Sequence, residues 1–195
     1  DDLKRYEPIL LQLIAAGKTL LPIAADCAAA LAEEPYAKAC FVGSGPLRAV
    51  ARESALKLLE LTAGRTVTMS ESALGLRHGP MAALGEDTLF VCFLSGNRRV
   101  QQYERDLLQE IGKKSLARTR VVVAGSAEPA MDALAEHFLT PVGSLAVADD
   151  YRAAVDVIFG QALGLFFSLR WKLRPDCPSP NGAISRVVQN VGIHS

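Results

Sequence analysis

Apolar positions along this chain follow two rhythms that predict alternating helices and strands. In residues 1–31 they recur at Leu3, Tyr6, Leu10, Leu13 and Ile14, the spacing of an amphipathic helix, with Pro22 expected to break or kink it. Residues 88–94 (TLFVCFL) form a continuous apolar run, the mark of a strand covered on both faces in a parallel sheet, and 119–124 reads as a second buried strand. The run from Cys40 breaks at Gly43-Ser44-Gly45-Pro46, a glycine turn followed by a proline suited to the first turn of a helix. Residues 65–69 and 137–139 complete the strands, and helices are predicted over 47–61, 100–116, 130–136 and 151–172. This alternation predicts a three-layer α/β/α sandwich around a mostly parallel sheet of about five strands.

In such open sheets the ligand crevice lies at the carboxyl ends of the strands. That places the Gly43 turn, the shaped loop 70–80 and the Ser95-Gly96-Asn97 turn on one edge. A turn that aims backbone N–H groups from a helix start suits a phosphate or a sugar hydroxyl, which makes Gly43, Ser44, Gly45 and Ser95 candidate binding residues. Within helix 47–61, Glu53, Lys57 and Glu60 fall on one stripe, flanked by Ala49, Val50, Leu56 and Leu61. Charges on a helix that is apolar nearly all round either pair in solvent or line a polar opening. His78, in the loop Leu76-Arg77-His78-Gly79-Pro80, is either a surface residue or a general acid and base near the rim.

Composition narrows the classes. Half of the 195 residues are hydrophobic, enough for one well-filled domain, and 21 basic against 21 acidic residues leave no global field to recruit nucleic acid or an anionic membrane. Cys27, Cys40, Cys92 and Cys177 have no CxxC spacing, which suggests a reducing, cytoplasmic setting, and no signal-peptide pattern opens the chain. The longest apolar run, 153–169, is interrupted by Asp156 and Gln161 and reads as a buried helix too short for a membrane span. Its wide face (Val155, Ile158, Phe159, Ala162, Leu165, Phe166, Leu169) needs its own sheet, a second layer or another subunit. His78, His137 and His194 are far apart and share no ligand spacing, so no metal is expected. The turn Gly43-Ser44-Gly45 is too short for a nucleotide fingerprint, so no cofactor is expected either.

GSG, ESALKLLE and LRHGP, in this order and spacing, resemble the second half of sugar isomerase (SIS) domain proteins. The resemblance is to the tagatose-6-phosphate ketose/aldose isomerase family, whose members include galactosamine-6-phosphate deaminase/isomerases, and extends to the isomerase half of glucosamine-6-phosphate synthase. It implies a flavodoxin-like SIS domain over residues 37–174, preceded by a helical linker, 1–36, and followed by a tail, 175–195, lying over the active-site cleft. By the same resemblance Glu60 matches the base that shuttles a proton between C1 and C2 of the open sugar, and Glu53 and Lys57 match residues that position it. His78 matches a ring-opening histidine contributed across a homodimer interface.

The implied function is isomerisation or deamination of a hexose or amino-sugar 6-phosphate; the alternative is a regulatory SIS module that binds a phosphosugar without turning it over. Two departures stand out. No lysine follows Lys172, where the synthase relatives carry a Schiff-base lysine. The phosphate-holding S-x-S-G-E-T loop of the first of two tandem domains has no match, the corresponding turn being Ser95-Gly96-Asn97-Arg98-Arg99. The first departure argues against a covalent imine from the tail; the second, with a start at Asp1-Asp2 and no Met, leads to the expectation of a carboxyl-terminal half whose amino-terminal SIS partner is missing. The enzyme reading expects Glu60 in a sugar-sized hollow at the carboxyl edge.

Overall fold

Five parallel strands make the sheet that the apolar runs require. They are β1 (Lys38–Gly43), β2 (Val67–Glu71), β3 (Gly85–Phe93), β4 (Ala117–Val123) and β5 (His137–Leu139), in the spatial order β2-β1-β3-β4-β5. The computed structural model describes residues 2–143, 145–177, 179, 181–182 and 192. The helices are α1 (Asp2–Ala32), α2 (Leu47–Leu61), α3 (Ala73–Arg77), α4 (Arg98–Lys113), α5 (Pro129–Asp132) and α6 (Asp149–Arg170). The three-layer α/β/α sandwich predicted from the pattern is the observed architecture. The strand predicted at 65–69 lies two residues further on, and α5 is shorter than the helix predicted over 130–136.

Because side chains alternate along a strand, each strand feeds two cores. Phe41, Val91, Phe93, Val121 and Val123 pack under α1, α2 and α6 with Leu58, Phe159 and Phe167. Cys40, Val42, Phe90, Cys92 and Val122 pack on the other face with Leu76 of α3, Leu107 and Ile111 of α4, and Met131 of α5. Truncating a fully buried aromatic such as Phe41 or Phe90 would cost about 3–5 kcal/mol.

Residues 1–36, expected as a helical linker, place α1 directly against α6, with Leu20, Ala24 and Ala28 fully buried. Pro22 does not break α1, which runs unbroken through both Pro8 and Pro22. Buried residues on both sides of Pro22 hold the helix on α6 and offset the missing backbone hydrogen bond. By length and hydropathy both α1 and α6 could cross a membrane, contrary to the expectation for 153–169; in the fold they pack on each other, and most of α6 is buried. The wide face of α6 is shared among the sheet, α1 and α2. Contact with α2 is close because a Cβ on Gly160 would strike Ser54 and one on Gly164 would crowd Leu61 and the backbone of Lys57. Leu165 and Leu169 stay exposed.

Candidate functional site

The strand order puts β1 beside β3, and their outgoing helices leave to opposite faces, α2 to one and α4 to the other. A crevice opens at such a switch point. Gly43 pairs with Phe93 and Val42 with Glu71, so β1, β2 and β3 end on the same edge, as the sequence predicted for the three turns. Gly43 must be glycine, since a Cβ there would strike the carbonyl of Leu47, and Gly45 takes φ +55°. The resulting cavity, about 440 Å³, is lined by Ser44, Gly45, Ser95, Gly96, Asn97 and Asp149, with Asp150 also at its wall. Of the predicted binding residues, Ser44, Gly45 and Ser95 therefore meet, and Gly43 forms the turn behind them.

Beneath this crevice lies a charged network that the apolar pattern did not reveal. Arg152, 2 % exposed, donates from Nη1 to the Leu94 carbonyl (3.0 Å) and to Asp149 (3.2 Å), and from Nη2 to Asp156 (2.7 Å). Burial pushes the Asp156 carboxyl up to about 6, against the pull of Arg152. Glu104 of α4 is fully buried, accepting from the Ser95 N–H at 2.9 Å, and burial raises its pKa. The signal available was the spacing Asp149, Arg152, Asp156, which puts all three on one face of α6.

The Glu53, Lys57 and Glu60 stripe is elsewhere. Helix α2 starts at the Gly43 turn and runs back along the sheet, so Glu60, in its last turn, lies about 20 Å along the axis from Leu47, at the amino edge. Lys57 Nζ is 2.7 Å from Glu60 Oε2 and 3.7 Å from Glu53 Oε1, and the three side chains are 31–45 % exposed. The hydrogen bond to Glu60 raises the pKa of Lys57. The expected hollow around Glu60 at the carboxyl edge is thus corrected: in this chain the carboxylate is open to solvent, because a helix that begins at one edge must end at the other. The apolar neighbours inferred from the sequence are real, and Leu56 and Leu59 stand exposed beside the stripe, as do Leu165 and Leu169 on α6.

His78, expected near the rim, is not among the residues that line the crevice. It closes α3, its backbone N–H donating to the Gly75 carbonyl (3.1 Å), and its side chain is exposed. α3 belongs to the layer opposite α2, so the sheet separates His78 from Glu60 of the same chain. Among the described residues no cluster of His, Cys, Asp and Glu could hold a metal ion. Residues 178, 180, 183–191 and 193–195, including His194 and most of the tail expected over the cleft, lie outside the described residues.

No family model matches the chain. D-galactosamine-6-phosphate deaminase AgaS of Shewanella sp. (strain ANA-3) is 35 % identical over 162 residues, covering 83 % of this chain and 39 % of that protein. A crystal structure from Clostridium novyi NT, provisionally described as a tagatose-6-phosphate ketose/aldose isomerase, superposes on all of this chain with a TM-score of 0.91 at 26 % identity, using 50 % of its own length. The tagatose-6-phosphate ketose/aldose isomerase of Escherichia coli matches 73 % of this chain and 38 % of its own, with a TM-score of 0.68 and 33 % identity. The chain therefore spans half or less of the length of these relatives.

Proposed function

We propose, from the premise that the chain belongs to the sugar isomerase (SIS) family, that it is the carboxylate-bearing half of an aldose/ketose isomerase or amino-sugar-phosphate deaminase. The observation that carries this reading is the ion-paired stripe of Glu53, Lys57 and Glu60 set in an apolar fringe that stands exposed among the described residues. A second SIS half seated on α2 and α6 would bury that fringe and give the carboxylate the dry surroundings that proton abstraction favours. Glu60 then removes the weakly acidic proton beside the carbonyl and returns it at the neighbouring carbon, held in place by Lys57. With a 2-amino group, the same shift yields an imine that water cleaves to ammonia and a ketose. The family resemblance implies that His78 opens the ring across a homodimer interface, and the position of His78 and Glu60 on opposite faces of the sheet within one chain supports a second copy as its source.

The substrate class is a hexose or amino-sugar 6-phosphate. Incubating the full-length parent with galactosamine 6-phosphate and with tagatose 6-phosphate tests this, and absence of both ammonia release and ketose formation would overturn it. Separation of Glu60 from the switch-point crevice favours a second reading, a module that binds a phosphosugar without turnover. Deuterium wash-in at C2 of the sugar distinguishes the two, because only the enzyme exchanges that hydrogen.

A further inference from the structure

The turn after β3 already holds an anion. Ser95 Oγ donates to Asp149 Oδ2 at 2.6 Å, and the Gly96 backbone N–H donates to Asp149 Oδ1 at 2.9 Å. A hydroxyl and a backbone amide at the start of a 16-residue helix are the donors a phosphate would use, and here a carboxylate from the first turn of α6 takes both. The next N–H groups are also committed, since Asn97 Oδ1 accepts from Arg99 (3.0 Å) and Val100 (3.3 Å). Asp149 is fastened from behind by Arg152, itself tied to Asp156 and the Leu94 carbonyl. Under the same turn Glu104 holds the Ser95 N–H with Oε2 and has the Ser44 hydroxyl as a further hydrogen-bond partner. Asp150 adds a further carboxylate at the wall.

We infer that Asp149 is the resident anion of this turn and the residue that closes the switch-point crevice to phosphate. An incoming phosphate would have to break both hydrogen bonds and the ion pair with Arg152, or sit beside Asp149 with the like charges of Asp150 and Glu104 nearby. Neutral hydroxyls meet no such repulsion at Ser44 and Asn97. The inference stands on the turn alone and does not depend on Glu60 or on turnover. Its consequence is that the phosphate of any sugar phosphate this protein takes is gripped outside this crevice.

The test titrates inorganic phosphate into this chain while following the backbone amides of Ser95, Gly96 and Asn97 by NMR, for wild type, Asp149→Asn, Asp149→Ala and the control Asp150→Asn. Wild type and Asp150→Asn should show no saturable shift at these amides, and Asp149→Ala should bind phosphate at least about tenfold more tightly than wild type, with Asp149→Asn between them. Saturable shifts in wild type, or a folded Asp149→Ala that gains no phosphate binding, overturn the inference. Should the Asp149 variants fail to fold, the wild-type titration decides alone, a shift at the three amides refuting the inference and their silence supporting it.

Discussion

Two charged clusters divide this molecule, and they are finished to different degrees. At the carboxyl edge Asp149, Arg152, Asp156 and Glu104 lie within the fold with most of their hydrogen bonds made by the chain itself. Toward the amino edge Glu53, Lys57 and Glu60 pair with one another in solvent, beside leucines that stand exposed among the described residues. An enclosed network is costly to disrupt and stabilises one arrangement of the turn, whereas an exposed trio contributes little to stability by itself. The difference teaches that burial marks the structural cluster here, and that the exposed one is where the proposed partner half would act.

The comparison breaks first on turnover. In the full-length parent, Glu60→Gln should lower the rate by about 10²–10⁴-fold with substrate binding largely kept, while unfolding of the chain shifts by less than about 0.5 kcal/mol. Rate assays and urea denaturation on the same variant check both halves; an intact rate, or a large loss of stability, would merge the two clusters. Arg152→Met should do the opposite, costing about 3–5 kcal/mol in urea denaturation by leaving Asp149 and Asp156 without their buried cation. A cost under about 1 kcal/mol would show that the network is not closed.

Smaller effects sharpen the contrast. Leu169→Lys should be neutral within about 0.5 kcal/mol in this chain and cost about 1–2 kcal/mol in a longer parent whose proposed second half covers the fringe. Equal effects in the two would leave the apolar fringe without a partner domain. The smallest signal concerns pH. Burial lifts Asp156 from 3.8 to about 6, so its proton is held more tightly in the fold than in the unfolded chain. Its contribution favours the fold below about pH 4 and is withdrawn as the pH rises through about 6. The stability difference between Asp156→Asn and wild type should therefore move in the variant's favour as the pH rises from about 4 to 7 in thermal unfolding; parallel curves across that range would refute the shift.

Much of this was legible from local pattern. Helix α2 begins and ends where its glycine turn and apolar spacing predicted, and TLFVCFL is the central strand β3, because a run that is apolar on both faces can be stable only between two layers. Pro22 was misread because its local cost, about 3 kcal/mol, is offset by contacts with α6, an element well over a hundred residues away in the chain. Glu104 and Asp149 drew no attention in the sequence, because only the fold brings α4 and α6 to the same turn.

The order of residues alone determined the layers, the parallel sheet, the glycine turn at its carboxyl edge and the stripe of three charges on α2, since each follows from periodicity and backbone sterics within a short window. Only the tertiary structure decided which charges are enclosed and which are left open, and on which side of the sheet Glu60 and His78 lie. Those are matters of distant segments meeting, and desolvation depends on everything that surrounds a group in space, whatever its neighbours along the chain.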